Sequence, residues 1–335
     1  MKYFSEFVSS FSLGSVQRKH NMAVVALKHS QKHDFSYICL KEALEKDLLD
    51  IREVDQHGAV PILMAVNKGP LPILILDGEE LVGGKQNRVL NTTILLKEKS
   101  KTTLPVSCTE KGRWRYISSK FDDSGVAMTA TLRGRKARSV SFSLQREGRF
   151  ASDQEEIWDS IDEFSRQADV YSPSSAMKDV VEKKRTQLRD YLQAFSWGDD
   201  QKGLLVIIND RVVGFDFISL PEVMKKLYPK LIESYAFEAF FASKNSGQST
   251  KEKTRPTTKT YHQQAAKFLE RIKTVPSRRF SSPGHGWDYR FLGDDLAGSA
   301  LLWRQKIIHT AFFQIPPNSS DGHLAGPGHR LRFRL

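Results

Sequence analysis

The sequence predicts an α+β fold built mainly on antiparallel sheet, with about four to five helices. Three observations carry that expectation. Short apolar runs separated by turn residues crowd residues 1–150, helical periodicity takes over after 151, and two later segments read as β-hairpins.

In the strand-rich part, residues 59–66 and 71–76 are apolar runs joined by Asn67-Lys68-Gly69-Pro70, a turn signal. Pro61 and Pro72 lack a backbone donor, which places them at strand starts or on an edge. Residues 89–96, 102–108, 127–132 and 139–144 follow as further strands, the last with strict alternation. Residues 40–48 form a short helix among them.

Ser152 and Glu155 have capping-box spacing, and Ile157, Ile161, Phe164 and Ala168 follow at helical spacing. Ser172-Pro173 is expected to open a second helix with Pro at its first position, running to Phe195. Leu220-Pro221 opens a third, carrying Val223, Leu227, Leu231 and Tyr235. A fourth carries Tyr261, Ala265, Phe268, Leu269 and Ile272. Residues 203–218 and 298–313 align without a gap: glycine, apolar strand, polar turn (Asn209-Asp210 or Arg304-Gln305), basic residue, apolar strand. Duplication and convergence of two buried hairpins both account for the match.

The chain has 335 residues, 39 % of them hydrophobic and 27 % charged, enough for a substantial core. Its formal net charge is +12, and residues 244–279 hold ten basic residues against two acids. Residues 244–258 lack apolar residues and read as a solvated basic linker, and the Pro- and Gly-rich 316–335 as a flexible tail. A nucleic-acid binder more often combines a basic face with aromatics on a folded element, so no specific nucleic-acid partner is expected from them. Apolar runs are too short to span a membrane. Two cysteines, Cys39 and Cys108, exclude a disulfide framework and fit a reducing, cytoplasmic setting. The expected organisation is a strand-rich lobe over 1–150 packed with a helix-and-hairpin lobe over 151–315.

Residues 76–93 combine three acids, three glycines and Lys85, Gln86, Asn87 and Arg88 directly after a strand. Gly83-Gly84 permits positive φ or a close backbone approach, Lys85 and Arg88 can hold an anion, and the amides donate and accept. The competing reading is a glycine turn with solvated polar residues. Residues 107–114 add Glu110, Arg113 and Trp114: a carboxylate, a forked cation and an aromatic plate. Cys108 reads better as a small core residue than as a nucleophile, because no adjacent base activates it. Asp153, Gln154 and Trp158 stand at a helix N-terminus. Asp288, Tyr289 and Arg290 follow the glycines of 284–286, and His309 interrupts an apolar strand. Metal-ligand spacing is lacking: His29 and His33 have no glutamate between them and no third ligand. Neither glycine-rich stretch fits a phosphate-loop or dinucleotide fingerprint, so no cofactor is assigned.

Taken together, these motifs resemble the ARG and Rhodanese-Phosphatase-superfamily-associated Protein domain family, where ARG stands for ADP-ribosylglycohydrolase. The likeness spans about residues 5–315. Carried over by position, its characteristic residues are Glu79, Glu80, Gly83, Gly84, Lys85, Gln86, Asn87, Arg88, Cys108, Glu110, Arg113, Trp114, Asp153, Gln154, Trp158, Asp288, Tyr289, Arg290 and His309. His285-Gly286-Trp287 departs from the smaller or acidic residue expected before Asp288. The resemblance implies a role around NAD-derived nucleotides. The leading expectation is therefore a ligand-binding, regulatory protein for an ADP-ribose- or NAD-like molecule. The second is a hydrolase with Glu79, Glu80 or Glu110 as general base and His309 as acid. The third is a scaffold that docks a partner through the basic linker. A single ligand site requires 79–88, 110–114 and 288–290 to converge on one concavity.

Overall fold

Both expected hairpins lie at the centre of the larger sheet in the computed structural model, which describes residues 2–32, 34–54, 61–245 and 256–315. The chain begins with α1 (Lys2–Ser9), β1 (Phe11–Lys19), β2 (Met22–His29), β3 (Ile38–Cys39), α2 (Leu40–Glu45) and β4 (Leu49–Glu53). Then come β5 (Ile62–Asn67), β6 (Ile73–Ile75), β7 (Glu79–Gly83), β8 (Arg88–Leu90), β9 (Ile94–Leu96), β10 (Ser100–Cys108) and β11 (Phe121–Ala127). Helices α3 (Ala130–Glu147), α4 (Gln154–Ala168), α5 (Met177–Lys184) and α6 (Arg189–Ala194) follow. The remainder is β12 (Gly203–Ile208), β13 (Arg211–Ile218), α7 (Pro221–Asn245), α8 (Thr258–Ile272), β14 (Ser277–Ser281), β15 (Trp287–Leu292), β16 (Leu296–Trp303) and β17 (Lys306–Gln314).

The eight-stranded sheet has the order β1-β2-β12-β13-β17-β16-β15-β14 and is antiparallel throughout. A six-stranded antiparallel sheet has the order β11-β7-β8-β10-β5-β4, and three short strands β3-β6-β9 include one parallel pair. The fold is α+β with mainly antiparallel sheet, as expected, though with more helices than four to five. Among the described residues no helix is long and apolar enough to cross a membrane. Strand β2 pairs with β12, so the first residues share a sheet with the last.

Both central turns put two residues in the left-handed region: Asn209 and Asp210 at φ 48° and 62°, Arg304 and Gln305 at 46° and 58°. Such two-residue turns match the twist of the strands they join. Each hairpin also carries an irregularity at the same place, between Val206 and Ile207 and between Leu301 and Leu302. Strands β13 and β17 pair so that Gly214 faces Phe313 and Ile218 faces His309. Laying one hairpin on the other exchanges these two pairs, so the four central strands have a local two-fold relation through Asp216 and Ala311.

One face of the large sheet packs on α1 and α8 through Phe4, Phe7, Phe215, Phe217, Phe268, Phe291 and Phe312. The other packs on α4, α5 and α7 through Leu204, Val206, Ile161, Val180 and Leu231. A third core fills the space around the six-stranded sheet with Leu63, Ile75, Leu81, Leu104 and Phe121.

Several local expectations are corrected. Residues 127–132 and 139–144 do not form two strands: Ala127 ends β11, Thr129 caps α3 by accepting the Leu132 N–H, and the helix takes in 130–132 and 139–144. The alternation in Ser-Val-Ser-Phe-Ser-Leu is incidental. Buried Arg133, Lys136, Ala137, Val140 and Leu144 recur at helical spacing, while Phe142 is exposed. Residues 89–96 break into β8 and β9, with Asn91–Thr93 between them. The cap of α4 is Asp153, which accepts from Glu155 and Glu156 N–H, whereas the Ser152 hydroxyl meets Ser107 at 2.6 Å. Ser172-Pro173 stands before α5, because the Ser172 hydroxyl accepts the Ala176 N–H and holds a turn instead. The single helix expected to reach Phe195 is interrupted by a 3-10 turn, Arg185–Leu188. The tail 316–335 and most of the basic linker lie outside the described residues.

The turn geometry gives a direct test. Asp210→Val puts a β-branched residue at φ 62° and should cost about 1–2 kcal/mol, whereas Asp210→Gly should be neutral or stabilising. Urea denaturation measures both, and equal effects of the two would contradict the left-handed assignment.

Candidate functional site

Helix α3 buries two cations, and their neutralisation sets up the interior. The Arg133 guanidinium grips Asp216 on β13 with two bonds, Nη1 to Oδ2 at 3.0 Å and Nη2 to Oδ1 at 2.7 Å. Gly78 stands against its stem, at φ 86°, and a Cβ there would lie 2.9 Å from Arg133 Cγ. Burial opposes the charge on Asp216, but Arg133 and His309 outweigh it and hold the carboxyl well below the ordinary range. The Tyr235 hydroxyl donates to Oδ2 at 2.7 Å.

His309, fully buried on β17, has its Nε2 3.6 Å from Asp216 Oδ1 and its Nδ1 2.9 Å from Thr93 Oγ1. Thr93 Oγ1 also accepts the Asp77 N–H at 3.0 Å, so this hydroxyl bridges the imidazole and the start of the Asp77 turn. Burial pushes the His309 pKa down against the pull of Asp216, which fits a neutral ring.

Beside this chain, Lys136 meets Asp77 and the Leu90 carbonyl. Burial and neighbouring Arg290 push the Lys136 ammonium down. On β15, Asp288 and Arg290 form a forked pair at 2.6 and 2.9 Å, and the Thr92 hydroxyl donates to Asp288 at 2.5 Å. Tyr289 faces the opposite, aromatic side of the sheet. Glu79 Oε2 accepts the Leu76 N–H at 2.7 Å, while Oε1 takes Lys230 at 2.6 Å; Lys230 also holds Asp123. Burial raises the Glu79 carboxyl, yet both of its partners donate, which is the pattern of an ionised group.

A second knot ties the strand ends at 83–88 to 108–113. Arg113 Nε donates to Glu110 at 2.8 Å, Nη1 to the carbonyls of Gly84 and Arg115, and Nη2 to Asn87. Glu110 also accepts from Ser174 Oγ and the Asn87 N–H. Burial opposes its ionisation, but Arg113 and these donors outweigh it and lower the carboxyl. Gln86 donates to the Glu110 carbonyl and accepts from Arg88, whose Nη1 also lies 2.7 Å from Cys108 Sγ. Burial drives the Cys108 thiol up to about 11 despite Arg88, so it stays protonated. Gly83 and Gly84, at φ 143° and 50°, have no room for a Cβ against Lys120 and Phe121. The Gln154 amide clamps the backbone of Cys108, accepting its N–H and donating to its carbonyl. Glu80, fully buried, accepts the Thr109 hydroxyl at 2.6 Å, and burial pushes its pKa up to about 7 against the pull of Thr109 and Ser124.

The structure therefore brings 86–88 together with 110–113. It places Asp288 and Arg290 in the other network, with Thr92, Lys136 and His309 nearby. Glu79, Glu80, Glu110 and His309 are all buried. Sequence reasoning missed Asp77, Arg133, Lys136, Asp216 and Lys230. The available signal was Asp216 alone in the apolar run VVGFDFI, since a lone acid in a buried strand requires a cation.

What faces solvent is a different set. Trp114 is 52 % exposed and Tyr116 48 %. The Lys85 ammonium lies over both rings, 5.3 and 5.2 Å from their centroids. Lys111 lies over half-buried Trp158 at 5.4 Å. The departing residues at 285–287 are occupied with packing: the His285 ring stacks on Trp303 at 4.3 Å and bonds Glu98, and Arg279 covers Trp287. Among the described residues no group of three or more His, Cys, Asp or Glu could hold a metal ion.

A family model, the ARG and Rhodanese-Phosphatase-superfamily-associated Protein domain, matches residues 10–313. No curated protein and no solved structure matches the chain.

Two measurements follow from the buried charges. Glu80 holds its proton in the folded state up to about pH 7, while the unfolded carboxyl loses it near 4.5. The native state then binds more protons between those values, so this residue's contribution to stability falls as pH rises through that window, by about 3 kcal/mol in all. Glu80→Gln should flatten that part of the urea-stability profile, and an unchanged slope would place the titration elsewhere. Asp216→Asn should cost about 3–5 kcal/mol because it strands Arg133. The double change Arg133→Met with Asp216→Leu should cost less than that single change, and additive losses would disprove the coupling.

Proposed function

The chain belongs to the ARG and Rhodanese-Phosphatase-superfamily-associated Protein domain family, and on that premise we propose a ligand-binding, regulatory role toward an ADP-ribose- or NAD-like nucleotide. The observation that carries the reading is the exposed pair Trp114 and Tyr116 with the Lys85 ammonium over both rings. An aromatic plate accepts a base, and an adjacent cation attracts the phosphates. Arg113 holds this loop from below with bonds to Glu110, Gly84, Arg115 and Asn87, so little ordering remains to be done on binding.

Binding is favoured over hydrolysis by where the acids and the imidazole are. A general acid or base must reach the reacting group. Glu79 is taken up by Lys230 and the Leu76 N–H, Glu110 by Arg113, and His309 by Thr93. Glu80 is sealed against Thr109. Free, buried Cys39 and Cys108 support a cytoplasmic location as part of this proposal.

Thermal denaturation with ADP-ribose, NAD and related nucleotides tests it. A ligand at one hundred times its Kd adds about 2.7 kcal/mol and should raise Tm by several degrees. Trp114→Ala should remove that rise and leave the ligand-free Tm within about a degree, because the ring is half exposed. No rise for the wild type at millimolar nucleotide would overturn the proposal.

A further inference from the structure

The aromatic ledge does not end at Trp114. The Gly112 N–H donates to the Ser174 carbonyl at 2.8 Å, and Ser174 Oγ donates to Glu110, so the loop carrying Trp114 is stitched to residues 170–175. Three residues before Ser174, Tyr171 is 80 % exposed. Its carbonyl accepts the Lys183 ammonium at 2.6 Å. Tyr171, Trp114 and Tyr116 are therefore exposed rings on two joined loops that also carry Lys111 and Arg115, with Lys183 bonded to the Tyr171 carbonyl and Lys85 over the other two rings. Residues 111–120 contain four basic residues and no acid; Arg113 is buried against Glu110 and Lys120 meets Asp50, which leaves Lys111 and Arg115 for the ledge. Among the described residues Arg115 forms no ion pair. One nucleotide occupies one ring, whereas this track offers several.

Resting on the nucleotide reading above, we infer that the ligand is a strand: a flexible polyphosphate chain bearing stackable purines, laid from Tyr171 past Lys111 and Trp114 to Tyr116. Rings that accept any base face, alternating with cations, are how proteins hold single strands without reading sequence. Both an adenylate oligonucleotide and a polymer of ADP-ribose have this chemistry.

Fluorescence anisotropy with labelled oligoadenylates of one to eight residues, competed by ADP-ribose, poly(ADP-ribose) and inorganic polyphosphate, tests the inference. Affinity should rise at least tenfold from monomer to tetramer and fall with salt at a slope near −2, for about three phosphate contacts. Tyr171→Ala should lower the ratio of octamer to ADP-ribose affinity by roughly 5- to 100-fold. Lys111→Ala with Arg115→Ala should make the salt slope shallower by about 1.4. These residues are exposed, and circular dichroism confirms that the variants fold. Tight binding of either polymer sustains the strand, and the comparison between them identifies the sugar–phosphate linkage. Equal affinity for ADP-ribose and octamer, unaltered by Tyr171→Ala, would overturn the strand while leaving nucleotide binding intact. Polyphosphate competing as well as oligoadenylate would overturn the stacking. No binding of any nucleotide would defeat both readings.

Discussion

The buried contact between Arg133 and Asp216 is the constraint around which the molecule is arranged. A guanidinium in the interior is tolerated only with its charge met and its donors occupied. Asp216 meets it from the centre of the eight-stranded sheet, and Tyr235 from α7 completes the carboxylate's shell. One ion pair thus fixes α3 against the sheet and α7 against both. Its geometry also restricts position 78, where the arginine stem passes close to the backbone. His309 and Thr93 extend the same chain of contacts to Asp77, linking the large sheet to the strands of the smaller one. The net worth of such a pair against a well-packed hydrophobic substitute is small, whereas breaking it from one side is costly.

Much of the architecture is legible because it depends on local chemistry. Two-residue polar turns between apolar strands identify β12–β13 and β16–β17, and Leu220-Pro221 marks the start of α7. Helix α3 is not legible that way. Serines at alternate positions suggest a strand face, and the burial of Arg133 and Lys136 that makes the segment a helix arises from partners far along the chain. The start of α5 is obscured for a related reason: Ser172 uses its hydroxyl to close a turn.

The candidate site was legible in composition and illegible in placement. The dense polar segments at 79–88, 110–114 and 288–290 are real clusters, but their side chains satisfy one another inside the protein. Charges that neutralise each other and charges that await a ligand look identical in a sequence, because exposure is decided by tertiary contacts. Trp114 was recognised as an aromatic plate. Tyr116 and Tyr171 were not, since a lone tyrosine in a polar stretch gives no sign of whether its ring is covered.

The pairing of β2 with β12 bears on synthesis. The first hairpin, β1–β2, emerges early, yet the strand that covers its inner edge is Gly203–Ile208, and β17 arrives only near residue 314. Val24, Val25 and Leu27 therefore leave the ribosome long before their neighbours exist. Sheets assembled from such distant segments close slowly and expose unpaired edges meanwhile. Until Gly203–Ile208 has been made, the apolar edge of the first hairpin has nothing to pair with.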